Sequence, residues 1–215
     1  MSVPRQVRST ADRRIDIIAA VLLAVAAVAT AWSSYQASRW TGEQAKTFAM
    51  ASASRVESTR SSNLANAQTQ IDVAVFIQWV DARLQGDAEL AAFYEQRFRA
   101  EFKPAFQAWI RTDPFEDPSA PPSPFAMDEY RLAATQEADK LSATAEGSAE
   151  LARTYIQRAT NYVLGVVLFA TSLFFAGIST KLNSTSLRGV ILGVGCLVFL
   201  AAASWIATFP ISLSI

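Results

Sequence analysis

The sequence predicts an all-α membrane protein: three transmembrane helices, with a long helical hairpin or coiled-coil stalk outside the membrane that is continuous with the first two spans. Three observations carry this. Apolar residues concentrate in blocks at 15–31, 162–178 and 190–209, and no Asp, Glu, Lys or Arg occurs within them after Asp16. Each block approaches the roughly 20 residues needed to cross a bilayer core. The stretch 32–40, WSSYQASRW, then joins the first block to a long polar helical pattern with no Gly or Pro between them.

Residues 1–14 form a basic tail, with Arg5, Arg8, Arg13 and Arg14 against Asp12 alone. Positive charge flanking a span stays on the cytoplasmic side, which places the N-terminus inside and the first span at 15–35. A second reading is a secretory signal peptide, because the flank is basic and Ala29-Thr30-Ala31 has the form of a cleavage site. Against it, alanine is frequent throughout the block, and Trp32, Tyr35 and Trp40 follow as an interfacial aromatic belt would.

Residues 36–159 then lie outside the cytoplasm and the second span, 160–180, returns the chain. The loop 181–188 carries Lys181 and Arg188 with no acid, again positive inside. The third span, 189–209, leaves a tail, 210–215, on the far side. Tyr155, Tyr162 and Trp205 join Trp32 and Tyr35 near the outer interface in this topology.

The extramembrane segment reads as helical. Between 43 and 84 there is no Gly or Pro, and Ala45, Ala49, Ser52, Val56, Leu64, Ala67, Ile71, Ala74 and Gln78 recur at spacings of three and four except near Arg60. That is a heptad-like seam with one break. A second seam, Ala134, Ala138, Leu141, Ala145, Ser148, Ala152, Ile156 and Ala159, runs into the second span. Gly147 within it costs about 1 kcal/mol.

At ~1.5 Å per residue, the outgoing helix 33–84 extends roughly 75 to 80 Å and the returning helix 128–158 only about 45 Å. A distal helical stretch over 87–111, after a turn at Gln85-Gly86, makes up the difference. The loop 112–127 has five prolines and reads as a stiff surface connector. A PxxP ligand reading of 118–124 has no exported partner to support it. Asp128 reads as the N-cap of the returning helix. Seams of Ala and Ser bury little apolar area, so a lone hairpin is marginal and assembly of several copies supplies the missing burial.

Tyr94, Phe98, Phe102, Phe106 and Trp109 repeat every three or four residues on one face. The sequence admits packing against Phe76, Trp79 and Leu84, or a partner-binding surface at the stalk tip. Asp113, Glu116 and Asp117 match no calcium-loop spacing and read as a solvated acidic loop. Gly189 and Gly193 form a GxxxG element followed by Gly195, where small residues let helices approach closely. Packing of the third span against the second is preferred to packing between subunits.

Nineteen basic and nineteen acidic side chains balance, and the segment 33–158 carries thirteen Lys/Arg against seventeen Asp/Glu, a net −4. A nucleic-acid partner has no electrostatic footprint here. The sequence contains no histidine, which excludes His-based acid–base, triad and zinc chemistry. The single cysteine, Cys196, falls in the third span and reads as an inert packing residue. No catalytic, cofactor-binding or metal-ligating residue is assigned.

Trp32, Tyr35, Gln36 and Ala37, a W-x-x-YQA element after one N-terminal span and before an Ala-rich helical middle and two C-terminal spans, resemble a group of uncharacterised bacterial integral membrane proteins. The resemblance implies a bacterial inner membrane, with the stalk in the periplasm or outside the cell, and carries over no functional residue. The expectation is a non-enzymatic membrane protein that forms a homo-oligomer, with a helical stalk acting as scaffold or protein-partner-binding element. The alternative is an oligomeric channel or mechanosensitive pore. The first span is mainly Ala, Val, Leu and Ile, which disfavours a permanently wet pore and allows a hydrophobic gate.

Overall fold

The computed structural model describes residues 10–212. The Arg5 and Arg8 flank and residues 213–215 of the tail lie outside the described residues. Five α-helices follow in order: α1 (Thr10–Leu84), α2 (Ala88–Gln96), α3 (Lys103–Ile110), α4 (Ala133–Ser179) and α5 (Thr185–Ile206), with a 3-10 turn at Pro124–Ala126. No strand occurs among the described residues. α1, α4 and α5 are each long and apolar enough over part of their length to cross a membrane.

The chain divides into two compact units, Met1–Phe48 with Ala149–Ile215, and Ala49–Ser148. The first, which holds the apolar stretches, is called the membrane unit; the second, the distal unit, is shorter at both ends than the segment 36–159.

In the membrane unit, α1, α4 and α5 pack through small residues. Ala19 and Leu22 meet Ala176 and Leu192, and Ala37, Trp40, Ala159, Tyr162, Phe169, Ala202 and Ile206 form a second cluster. Val21, Val25, Val28, Val163, Val167, Val190, Leu197 and Leu200 face outward, as lipid-facing side chains do.

The close approaches differ from the expected glycine element. Gly189 and Gly193 face open space, whereas a Cβ on Gly165 would overlap Ile206 Cδ1 and one on Gly195 would meet Phe175 Cβ at 3.2 Å. Ser172 Oγ donates to the Gly195 carbonyl at 2.9 Å. The α4–α5 seam therefore uses Gly165 and Gly195, because the register turns the GxxxG face outward.

In the distal unit, α1 and α4 run antiparallel. Ser58 Oγ donates to the Ala138 carbonyl at 2.8 Å, and Ala51 and Ala145, seven residues away in opposite directions, are both buried. The buried face of α1 is Ala51, Ala65, Asp72, Phe76 and Trp79. The expected seam is overturned: Ala45, Ala49, Val56, Leu64, Ala67, Ile71, Ala74 and Gln78 are exposed. Small and polar residues win the internal face because they allow the two helices to approach within hydrogen-bonding distance.

α1 ends where expected. Gly86 takes a φ of 78°, a conformation cheap only for glycine, and the Asp87 N–H reaches the Ala82 carbonyl at 3.0 Å. Asp87 then caps α2 by accepting from the Leu90 N–H at 2.9 Å. The stretch 87–111 is two helices, since Pro104 has no N–H to donate and its ring excludes the carbonyl four residues earlier.

α4 begins at Ala133 rather than at Asp128. Its first N–H is held by Glu101 Oε1 at 2.9 Å, while Asp128 lies in a turn and accepts from Arg131 Nε through its own carbonyl. Capping from another segment delays the helix and frees Tyr130 to turn inward.

Candidate functional site

Three polar assemblies and one aromatic core stand out, and their residues come from separate elements in each case. The aromatic core lies in the distal unit. Phe98, Phe102, Phe106 and Trp109 are buried with Phe76 and Trp79, and Tyr94 packs at the edge. Trp79 meets Phe106 edge-on at 4.7 Å and Phe76 meets Trp109 at 5.3 Å. Such edge-to-face pairs suit the ring quadrupoles.

The aromatic stripe thus meets Phe76 and Trp79, while Leu84 is exposed. The outward aromatics near this core are Phe93, with the Arg97 guanidinium 3.3 Å above its ring, and Phe115. The proline-rich segment is more than a surface connector. Trp109 Nε1 donates to the Pro121 carbonyl at 2.7 Å, Pro124 is fully buried, and Phe125 stacks on Phe102 at 5.2 Å.

An open cleft of about 400 Å³ lies beside this core, floored by Trp79 and Phe106 and rimmed by Arg83, Glu95 and Asp113. Of the acidic loop residues, Asp117 turns on its own chain and accepts from the Ser119 N–H and hydroxyl at 2.8 and 2.7 Å. Those bonds hold its carboxyl below the usual range.

The first polar assembly is centred on Asp72, on the part of α1 that belongs to the distal unit, and only 2% exposed. Arg99 donates to its Oδ2 at 2.9 Å, Tyr130 OH at 3.1 Å, and Arg99 also pairs with Glu101. Tyr130 OH lies 3.2 Å from Thr69 Oγ1. Desolvation pushes the Asp72 carboxyl above its ordinary value, against the opposing hydrogen bond from Tyr130 and the charge of Arg99. Burial likewise raises the Tyr130 phenol. Each polar group is turned onto another, so the assembly ties α1 to the α2–α3 turn and the start of α4.

The second assembly lies in the membrane unit, where α1 begins. Arg188 of α5 is buried, donates through Nε to the Ser179 carbonyl at 3.1 Å, and pairs with Asp12 at 3.4 Å and with Asp16. Thr185 Oγ1 also donates to Asp12, at 2.9 Å. One guanidinium therefore joins all three membrane-unit helices.

The third assembly, also in the membrane unit, uses the W-x-x-YQA element. Trp32 and Tyr35 are exposed, as interface residues would be, but Gln36 is fully buried and Ala37 packs inside. Gln36 holds Ser212 through backbone bonds, and Tyr162 OH donates to the Pro210 carbonyl at 3.2 Å. Trp40 and Tyr162 are buried in the bundle rather than placed on its outside. The Trp40 ring lies 5.3 Å from Tyr155 and 4.7 Å from the Arg158 guanidinium. Trp205 is half-buried and meets Phe209 edge-on at 5.0 Å.

Sequence reasoning missed the roles of Asp72, Gln36 and Arg188. Asp72 had a legible signal, since Ala51, Ser58, Ala65, Asp72 and Trp79 recur every seven residues. In the sequence Arg188 signals topology alone. No family model matches this chain, and no curated protein or solved structure matches it either.

Proposed function

We propose that this protein is a non-enzymatic, self-assembling scaffold of a bacterial inner membrane, anchored by three spans, with its distal helical unit outside the cytoplasm. The observation that carries the reading is α1, one unbroken helix that holds both an apolar stretch able to cross a membrane and the buried face of the distal aromatic core. A helix shared in this way suits the display of a surface rather than the turnover of a substrate. The polar groups of the distal unit support the same reading, because Asp72, Arg99, Glu101 and Tyr130 are bonded to one another.

The channel reading has less behind it. Ser33, Gln36, Ser172 and Ser179 are all turned into the bundle, and the outward residues of the spans are mainly apolar, with Ser34, Thr160 and Ser204 exposed toward their ends. A wet pore between copies would need polar side chains on those outward faces.

Light scattering on the nanodisc-embedded protein, corrected for lipid, tests the proposal. A single defined mass of two or more chains is expected. A monomer over the whole concentration range overturns self-assembly. Labelling of Lys140→Cys in intact cells by an impermeant maleimide tests orientation; protection until the membrane is opened would place the distal unit inside.

A further inference from the structure

In the distal unit α1 carries an apolar stripe that nothing in the chain covers. Leu64 and Ile71 are each 54% exposed and Val56 is 69% exposed, and Ala49, Ala53, Ala67, Ala74 and Gln78 share their face. At 3.6 residues per turn this stripe lies roughly opposite the face buried against the distal core. One helix thus carries two seven-residue repeats: the inner one is filled by the chain itself, and the outer one meets solvent.

We infer that the outer stripe pairs with the same stripe of another copy, α1 beside α1, parallel and in register; this rests on the self-assembly proposed above. Copies inserted with the same topology send α1 out of the membrane in the same direction, which makes the pairing parallel. In a parallel, in-register pair each seam residue meets its own counterpart, so a charge would meet a like charge. Between residues 61 and 80 the only ionisable side chain is Asp72, and it is buried.

On the stripe in that segment lie Leu64, Ala67, Ile71, Ala74 and the amide Gln78, all exposed and flanked by the exposed amides Asn63 and Gln70. An amide both donates and accepts, so it can bond its own copy, and a polar residue at a seam fixes register. Between residues 61 and 80 a partner of opposite charge would find nothing on this face to pair with. Confinement to one membrane plane raises the effective concentration of the copies, so a stripe rich in alanine need not supply the affinity of a dimer free in solution.

Arg60 interrupts the stripe. It is exposed and lies 3.8 Å from Glu57 of its own chain, and in a parallel pair it faces its counterpart. This residue sets the repulsive limit on the pairing.

Cysteine crosslinking of the full chain in native membranes, in a Cys196→Ala background, tests the inference. A disulfide needs Cβ atoms about 4 Å apart. Leu64→Cys and Ile71→Cys are expected to form linked dimers at least about tenfold faster than Arg55→Cys and Asn66→Cys, which lie off the stripe. Adding Leu64→Lys should lower the Ile71→Cys rate about tenfold, and Arg60→Leu should raise it. Because Leu64 is exposed, the lysine variant keeps the chain's own core.

A multi-chain mass without faster crosslinking on the stripe overturns this interface and leaves self-assembly standing. A monomeric mass with no crosslinking at any position overturns both. Equal rates on and off the stripe, or an Ile71→Cys rate unmoved by Leu64→Lys, also overturn the pairing.

Discussion

Gln36 grips Ser212 with both ends of its side-chain amide: the Ser212 N–H donates to Oε1 at 2.9 Å, and Nε2 donates to the Ser212 carbonyl at 3.4 Å. The amide takes the place of a neighbouring strand for a residue just beyond α5. It also satisfies a fully buried Gln36, which without partners would cost a few kcal/mol.

Gln36→Leu removes both bonds and leaves the Ser212 groups unmatched, at a cost of about 1–3 kcal/mol. Amide exchange at Ile211 and Ser212 should rise in this variant while that of α4 stays unchanged. Tyr162→Phe, which removes only the bond to the Pro210 carbonyl, should show a smaller rise.

Arg188→Ala leaves Asp12 and Asp16 without the guanidinium that joins them to α5. Removing one partner of a buried ion pair costs about 3 kcal/mol. The detergent melting curve, read by tryptophan fluorescence, should shift down. Arg188→Lys should recover only part, because an ammonium cannot reach two carboxylates and the Ser179 carbonyl in one fixed fork.

In the distal unit, Arg99→Met leaves the buried Asp72 carboxylate with Tyr130 but without its counter-charge and should cost about 3 kcal/mol. The double variant Asp72→Asn with Arg99→Met should recover most of that loss in a denaturant midpoint, since it leaves no buried charge: Glu101, which also loses Arg99, is partly exposed and still accepts from the Ala133 N–H. Equal destabilisation in single and double variants would show that the ion pair itself carries the stability.

The sign of the pH response follows from Asp72. Its carboxyl is pushed above the ordinary value of 3.8 by desolvation, so the fold favours the protonated form. That contribution is complete below 3.8 and is lost as pH rises through the folded value. Mild acid should therefore stabilise the distal unit through this group, and Asp72→Asn should remove that part of the slope. Asp117 acts oppositely and in a lower window, because its carboxyl is depressed by Ser119 and its contribution is lost as pH falls below 3.8.

The three apolar helices, the Gln85-Gly86 turn and the aromatic stripe were legible because each depends on residues close in sequence. The seam of α1 was misplaced for a physical reason. Val56, Leu64 and Ile71 are the larger apolar residues and attract a periodicity reading, but α4 needs a near backbone, and Ala51, Ser58 and Ala65 provide it. Pro104 could have signalled the break between α2 and α3. The partners of Gln36, Asp72 and Arg188 were not legible, since Gln36 and Ser212 are separated by 176 residues and Arg188 and Asp16 by 172.

Synthesis runs from α1 to α5, yet Arg188 on Asp12 and Gln36 on Ser212 both join the earliest helix of the membrane unit to the latest part of the described chain. Neither bond can form while α5 is still inside the ribosome. A nascent chain halted before α5 has none of the contacts that the last span brings to the first, and membrane quality-control proteases would meet it as an unfinished bundle. Completion of the membrane unit therefore waits on the synthesis of α5 and Ser212 rather than on insertion of the first span.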